Sequence, residues 1–126
     1  MITLDKRLSA VAALVRQGSR LADIGTDHAY LPVHLVQAGV CPSAIASDIG
    51  AGPLDAARRT VTENGLTSEI ALRLGDGLAT VSAGEVEDIA IAGMGGETIA
   101  AILEAAPWVQ NEGIRLILQP MTRAED

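Results

Sequence analysis

Glycines and carboxylates recur in this chain where runs of apolar residues stop. Gly25-Thr26-Asp27-His28 follows Leu21-Ala22-Asp23-Ile24, and Asp48 closes Ser43-Ala44-Ile45-Ala46-Ser47. Gly75-Asp76-Gly77 follows Ile70-Ala71-Leu72-Arg73-Leu74, Gly93-Met94-Gly95-Gly96 follows Asp88-Ile89-Ala90-Ile91-Ala92, and Gln119-Pro120 follows Arg115-Leu116-Ile117-Leu118. Glycine lets the backbone approach a ligand closely, and a carboxylate accepts hydrogen bonds from hydroxyl and amino groups. The set holds no activated nucleophile. The single Cys41 precedes Pro42 in a predicted loop and reads as an inert thiol. His28 and His34 find no third ligand at a suitable spacing, so no metal centre is expected. The chemistry suggested is the binding and alignment of a ligand, without covalent or metal catalysis.

The first of these turns says which ligand. A dinucleotide-binding turn needs Gly-x-Gly-x-x-Gly, because a pyrophosphate requires bare backbone and a free helix N-terminus. Here only Gly25 is present, and Asp27 places a negative charge where the pyrophosphate would sit. A Walker-type loop is also missing. The turn suits the ammonium of an amino-acid group better than a phosphate, and S-adenosylmethionine carries such a group with a sulfonium and no phosphate. Asp48, about 20 residues further on, is placed to accept both hydroxyls of a ribose. NAD and S-adenosylmethionine share that device, so Asp48 alone does not separate them. Asp76 is a candidate partner for an adenine amino group.

The elements that must position these residues alternate. Leu4, Leu8, Val11, Ala12 and Val15 recur at helical spacing, with Thr3 as the predicted N-cap and Gly18 as the stop. A strand over about Arg20 to Ile24 leads through the first turn, where Thr26 and Asp27 are candidate caps, into a helix over about His28 to Gln37. A second strand, Ser43 to Asp48, precedes a helix opened by Pro53 and closed by Asn64-Gly65. Strands over Ile70–Leu74, Val86–Ala92 and Arg115–Leu118 follow, with a helix over about Glu97 to Ala105 between the last two. Such alternation predicts an α/β fold, a Rossmann-like doubly wound parallel sheet. In such a sheet ligands bind beyond the carboxyl ends of the strands, and every unusual glycine or acid noted above falls there. The residues Thr122-Arg123-Ala124-Glu125-Asp126 read as the start of another helix, so the expectation is a sheet incomplete at its C-terminus and a chain that is a fragment or shortened form.

Composition narrows the class. The 126 residues are 48% hydrophobic but only 2% aromatic, with no Phe, so the core must be Ile, Leu, Val and Ala, as in a helix-covered parallel sheet. The formal net charge of −7 argues against nucleic-acid binding through these residues alone. No segment is long and apolar enough to span a bilayer, and no apolar signal core follows the basic N-terminal residues, so a cytoplasmic protein is expected.

Four motifs carry a resemblance. Asp-Ile-Gly-Thr-Asp-His-Ala-Tyr-Leu-Pro at 23–32, Gly-Asp-Gly-Leu at 75–78, Ile-Ala-Gly-Met-Gly-Gly at 91–96 and Leu-Gln-Pro at 118–120 resemble, in order, those of the bacterial tRNA (adenine(22)-N1)-methyltransferases. The resemblance covers essentially the whole chain. It implies a class I, S-adenosylmethionine-dependent methyltransferase acting on N1 of an adenosine in the D-arm region of tRNA, with residues 1–126 as one cofactor-binding domain. The family also has a helical C-terminal domain that helps bind tRNA, which this chain is expected to lack. By motif, the resemblance assigns Gly25 and His28 to the methionine end of the cofactor and Asp48 to the ribose. Asp76 and Gly77 go to the adenine, and Gly93 and Met94 lie beside the sulfonium and the target base.

Three residues are substrate candidates: Tyr30 by stacking, and Gln119 and Pro120 by their place after the last strand. Asp27 has two readings, a polar group that takes a proton from the target's exocyclic amine or a helix N-cap, so Asp27, Gly93 and Met94 form the catalytic set. Two alternatives stand beside the methyltransferase: a module that binds S-adenosylmethionine but is inactive without a further domain, and an NAD-dependent oxidoreductase.

Overall fold

The computed structural model describes residues 2–121. Its centre is a five-stranded sheet in the order β3-β2-β1-β4-β5. The strands are β1 (Leu21–Ile24), β2 (Ala44–Asp48), β3 (Ile70–Leu74), β4 (Asp88–Gly95) and β5 (Arg115–Met121). Every pairing is parallel, so each connection must cross over the sheet. The helices are α1 (Lys6–Leu14), α2 (Tyr30–Gln37), α3 (Ala51–Glu63) and α4 (Gly96–Glu104), with short 3-10 turns at Gly77–Thr80 and Pro107–Gln110.

The period-2 alternation of each strand divides the core into two layers. Leu21, Ala44, Ala46, Ala90 and Ile117 face α1, α2 and α3, where Val11, Leu31, Leu35, Ala57 and Val61 cover them. Ala22, Ile24, Ile45, Ile89 and Ile91 face the other way, onto Ile99 and Ile102 of α4 and onto Leu78, Val81 and Val109. Both faces of the sheet are therefore dry, as the near-continuous apolar strands require. Strand order reverses between β1 and β4, which have α2 and α4 on opposite faces. The crevice beyond these two strand ends is the switch point.

Several boundaries differ from the sequence expectation, each for a local reason. The N-cap of α1 is Asp5, which accepts the Leu8 N–H at 2.8 Å, and not Thr3. The helix ends at Leu14, so Gly18 (φ +86°) turns the chain after it and does not end it. The N-cap of α2 is Ala29, in the left-handed region, with no side-chain cap. Thr26 does not cap because its hydroxyl donates instead to Asp23 at 2.7 Å, and Asp27 (φ +58°) is itself part of the turn. In α3, Pro53 is the third residue, still among those whose N–H has no helical partner, so the helix starts at Ala51.

The largest difference lies at the ends of β4 and β5. Gly93-Met94-Gly95 is not a turn: β4 continues through it to Gly95, with a bulge between Ala92 and Met94. Gly93 sits in that bulge at φ +77°, a conformation that favours glycine. β5 follows it, pairing Gln119 with Ala92, Pro120 with Met94 and Met121 with Gly95. Among the described residues β5 is an edge strand of the sheet, so the missing N–H of Pro120 breaks no ladder there. The expected helix start at Thr122–Asp126 lies outside the described residues.

Candidate ligand-binding site

A cleft of about 560 Å3 opens at the carboxyl edge of the sheet, and all five strand ends contribute to its lining. Of the residues picked from sequence, Gly25, Asp27, Asp48, Asp76, Gly77, Gly93, Met94 and Gln119 line it. His28, Tyr30 and Pro120 do not. The rings of His28 and Tyr30 stack on each other 5.1 Å apart, and His28 Nδ1 lies 3.2 Å from an oxygen of Asp27, which is a wall residue. Pro120 misses the cleft because alternation along β5 turns Gln119 and Met121 into it and Pro120 away. His34 lies on the same helix but serves the N-terminus, with Nδ1 2.7 Å from the Ile2 carbonyl. Among the described residues there is no group of three potential metal ligands.

Asp48 is the best-fixed acid of the site. One carboxylate oxygen accepts the Asp27 N–H at 3.1 Å, and the other accepts the Gly50 N–H at 2.9 Å. These bonds join the turn after β1 to the turn after β2 and hold the carboxylate at the cleft wall. Each oxygen keeps further lone pairs for a ligand hydroxyl. Gly25 is needed beside it for two reasons. Its φ of +74° favours glycine, and the Met94 methyl lies where its Cβ would be. The Met94 thioether therefore packs over the backbone of the first turn, joining the ends of β1 and β4 across the switch point.

Asp23 and Arg7 were not picked out by sequence. Asp23 is 5% exposed, beneath the turn, with the Thr26 hydroxyl as its donor. Burial pushes its carboxyl up to about 7, and the charge of Asp48 adds to the rise, while Thr26 and Arg7 act the other way. Its signal in the sequence is a lone acid in an apolar strand just before a required glycine. Arg7 gives no such signal, since its role depends on how α1 packs. From α1 it reaches over the Gly93 backbone, with Nη1 2.7 Å from where a Gly93 Cβ would lie, and donates to Gln119 at 3.4 Å. Ser47, Ile49, Thr98, Ile102 and Met121 also line the cleft, and Ile49 is 71% exposed, an apolar side chain at the edge of an acidic cleft.

The state of Asp23 gives a testable pH dependence. Between its ordinary value of 3.8 and about 7, the folded protein holds a proton that the unfolded chain has released. Stability from this group is therefore greatest at low pH and falls as pH rises through that window. Asp23→Asn keeps an acceptor for Thr26 and removes the ionisation. Its melting temperature relative to wild type is expected to rise between about pH 5 and about pH 8. A difference that stays constant with pH contradicts a buried, proton-holding Asp23.

Comparison with known proteins agrees with this geometry. A sequence model described as a methyltransferase domain matches residues 4–126. The tRNA (adenine(22)-N(1))-methyltransferase of Bacillus subtilis (strain 168) is 47% identical over 123 residues, which are 98% of this chain and 52% of that protein. Among solved structures, the B. subtilis M1A22 tRNA methyltransferase TrmK superposes with a TM-score of 0.91 at 48% identity, covering 95% of this chain and 51% of that one. Streptococcus pneumoniae Sp1610, a putative tRNA (m1A22) methyltransferase in complex with S-adenosyl-L-methionine, gives 0.90 at 46% identity, covering 98% of this chain and 58% of that one. M. capricolum TrmK in complex with S-adenosyl-homocysteine gives 0.84 at 38% identity, covering 95% of this chain and 53% of that one. The chain thus spans about half the length of the relatives it matches. The resemblance carried by the four sequence motifs is borne out, and on a match running from residue 4 to the last residue the chain belongs to the methyltransferase domain family.

Proposed function

We propose that this chain is the S-adenosylmethionine-binding, methyl-transferring part of a tRNA (adenine-N1)-methyltransferase acting on adenosine 22. The observation that carries the reading is the convergence of Gly25, Asp48, Asp76 and Gly93 on one cleft, with a carboxylate in the first turn where a pyrophosphate binder needs glycine. The relatives named for this activity, two of them solved with S-adenosylmethionine or S-adenosyl-homocysteine, support it.

The residues present fit that cofactor. Asp48, fixed through two backbone N–H groups, offers both oxygens to a ribose. Asp76 and Gly77 stand next along the sheet edge, where an adenine bound beyond β3 would meet them. Gly25 and Gly93 line the cleft at the ends of β1 and β4, the side left for an amino-acid tail, with the Met94 methyl over Gly25 and the Arg7 guanidinium over Gly93. When bound, S-adenosylmethionine supplies an electrophilic methyl on a positively charged sulfur.

Adenine N1 has its own lone pair, so the protein needs no covalent nucleophile and acts by alignment and exclusion of water. Cys41 fits this account: it is buried, and burial with the nearby Asp88 charge pushes its thiol up to about 11. As the N1–methyl bond forms and the sulfur–methyl bond breaks, the positive charge passes to the adenine ring. Asp27, exposed on the wall and not engaged as a cap, is placed to accept a proton from the exocyclic amine. The backbone of Gly93 and Met94 and the amide of Gln119 face the same space. The stacked His28–Tyr30 pair, joined to the wall through Asp27, is a platform for the target base.

The net charge of −7 gives tRNA no general attraction to this chain, so tRNA capture is assigned to a helical C-terminal domain like that of the family. Among the described residues no helix is long and apolar enough to cross a membrane, and the proposed site of action is the cytoplasm. The test is methyl-labelled cofactor with unmodified tRNA, using this chain and a version extended by a helical C-terminal domain. Label on N1 of adenosine 22 from either supports the proposal. No label from either overturns the tRNA assignment.

A further inference from the structure

We propose that Arg73 is a positioning residue for the cofactor's adenine: paired with Glu85 and bonded to the Thr80 carbonyl, it holds the 3-10 turn that presents Asp76 and Gly77 to the cleft. The proposal rests on the reading of the cleft as an S-adenosylmethionine site and deepens it. A parallel crossover is usually an α-helix, whose own hydrogen bonds steady the loop that leads into it. The crossover from β3 to β4 contains none. Between Gly75 and Glu87 its one regular element is the 3-10 turn Gly77–Thr80. A single such turn holds its shape weakly, so the direction of Asp76 and Gly77 depends on what grips the ends of the turn.

The front end is held by the sheet and the middle by the core. The Gly75 N–H donates to the Asp48 carbonyl at 3.0 Å, and Leu78 is buried in the layer that α4 covers. The far end is held at Thr80 from three sides. Its carbonyl accepts Arg73 Nη1 at 2.7 Å, its hydroxyl donates to Ser47 Oγ at 2.9 Å, and its methyl packs over Gly75 where a Cβ would otherwise lie. Ser47 is itself a lining residue, and its carbonyl accepts the N–H groups of Gly25 and Thr26, both at 2.9 Å. Thr80 thereby ties the adenine end of the cleft to the turn after β1.

An arginine suits the grip at that far end. Alternation along β3 places Ala71 and Arg73 on the face opposite Ile70 and Leu72. From there Nη1 and Nη2 reach the two oxygens of Glu85 at 2.8 and 2.7 Å, while Nη1 also serves Thr80. Glu85 is fixed in turn by the Ser82 N–H at 2.8 Å. The Arg73 guanidinium, with that N–H, holds the Glu85 carboxyl down to about 2, so the pair stays ionised at neutral pH. A bidentate fork sets both the distance and the plane of the loop, which the point charge of a lysine does not. Arg73 does not line the cleft, so it acts only through the turn. Asp76 makes no capping bond with its side chain, which leaves its carboxylate for a ligand.

The test is calorimetric titration of wild type, Arg73→Met, Arg73→Lys and Glu85→Gln with S-adenosylhomocysteine and S-inosylhomocysteine, in which a carbonyl replaces the adenine amine. Wild type is expected to prefer S-adenosylhomocysteine by roughly 10- to 150-fold, the worth of a hydrogen bond to the Asp76 carboxylate. Arg73→Met is expected to lower that preference by about 10-fold, through weaker binding of S-adenosylhomocysteine, because Asp76 no longer stands at the amine. Its affinity for S-inosylhomocysteine should match that of wild type, which also shows that the variant is folded. Arg73→Lys should recover part of the preference. Glu85→Gln keeps an oxygen acceptor without the charge and should fall between wild type and Arg73→Met, and it carries the test if Arg73→Met does not fold. Equal losses for both ligands would make Arg73 a structural support only and overturn the proposal, as would an unchanged preference. A wild type without any preference removes the amine from Asp76 and overturns the proposal while leaving the cofactor site standing. If wild type binds neither ligand, the reading of the cleft itself fails, and the proposal with it.

Discussion

Asp88→Ala is expected to lower the unfolding free energy by about 3 kcal/mol, the lower part of the range for breaking a buried ion pair from one side. Asp88 opens β4 and is fully buried. It accepts three bonds from Arg16: the backbone N–H at 2.8 Å, Nε at 2.9 Å and Nη2 at 2.6 Å. The same Nη2 also donates to the carbonyls of Glu87 and Gly113. One side chain thus ties the segment after α1 to β4 and to the turn that starts β5. Removal of Asp88 leaves Arg16 without its counter-charge and a cavity at the base of the sheet. The lower part of the range applies because the Arg16 side chain is 37% exposed and reaches water without its partner. Urea denaturation measures the change. A loss below about 1 kcal/mol would mean the pair acts like a surface bridge. Because Asp88 lies at the amino end of β4, ligand affinity of the folded variant should not change.

Asp48→Ala is expected to have the opposite profile, costing ligand affinity far more than stability. Loss of the ribose hydrogen bonds to a carboxylate corresponds to about 1–3 kcal/mol, or roughly 5- to 150-fold weaker binding of S-adenosylhomocysteine. Part of that loss is indirect. The Asp48 carboxylate holds the Asp27 N–H, and Asp27 is in a left-handed conformation that needs support. Asp48→Asn separates the two effects, since its amide oxygen still accepts one backbone N–H. An affinity for S-adenosylhomocysteine unchanged in Asp48→Ala removes Asp48 from the ribose site.

The division of the chain into strands and helices was legible because each strand is a short apolar run and each helix shows its own spacing. β3 was read to the residue, Ile70–Leu74, since Gly65 and Gly75 bracket it. The end of β4 was not legible. Gly93-Met94-Gly95 carries a turn composition, and only pairing with Gln119, Pro120 and Met121 makes it strand. The expected N-cap of α2 failed for a similar reason: Thr26 has the right type and position, but Asp23 claims its hydroxyl first, whereas Asn64-Gly65 does close α3 as expected. Local pattern reports what a residue is able to do, and tertiary contacts decide which option it takes.

The candidate site shows the same limit. Acids and glycines at strand ends were visible because the parallel sheet itself brings such ends to one edge. Arg7 was invisible, because on α1 it reads as one more charge on a solvated face. Its arrival at Gly93 depends on the packing of α1 beside β4 and β5. His28 and Tyr30 lie within the most distinctive motif of the chain, yet they stack on each other outside the cleft wall. Sequence distance from Gly25 could not show that.

A cleft for S-adenosylmethionine and a cleft for a pyrophosphate cofactor differ in the ligands they take. Titration calorimetry of the chain with S-adenosylhomocysteine and, separately, with NADH separates the two most directly. Saturable binding of S-adenosylhomocysteine and none of NADH is expected. Binding of NADH without S-adenosylhomocysteine would contradict an S-adenosylmethionine site.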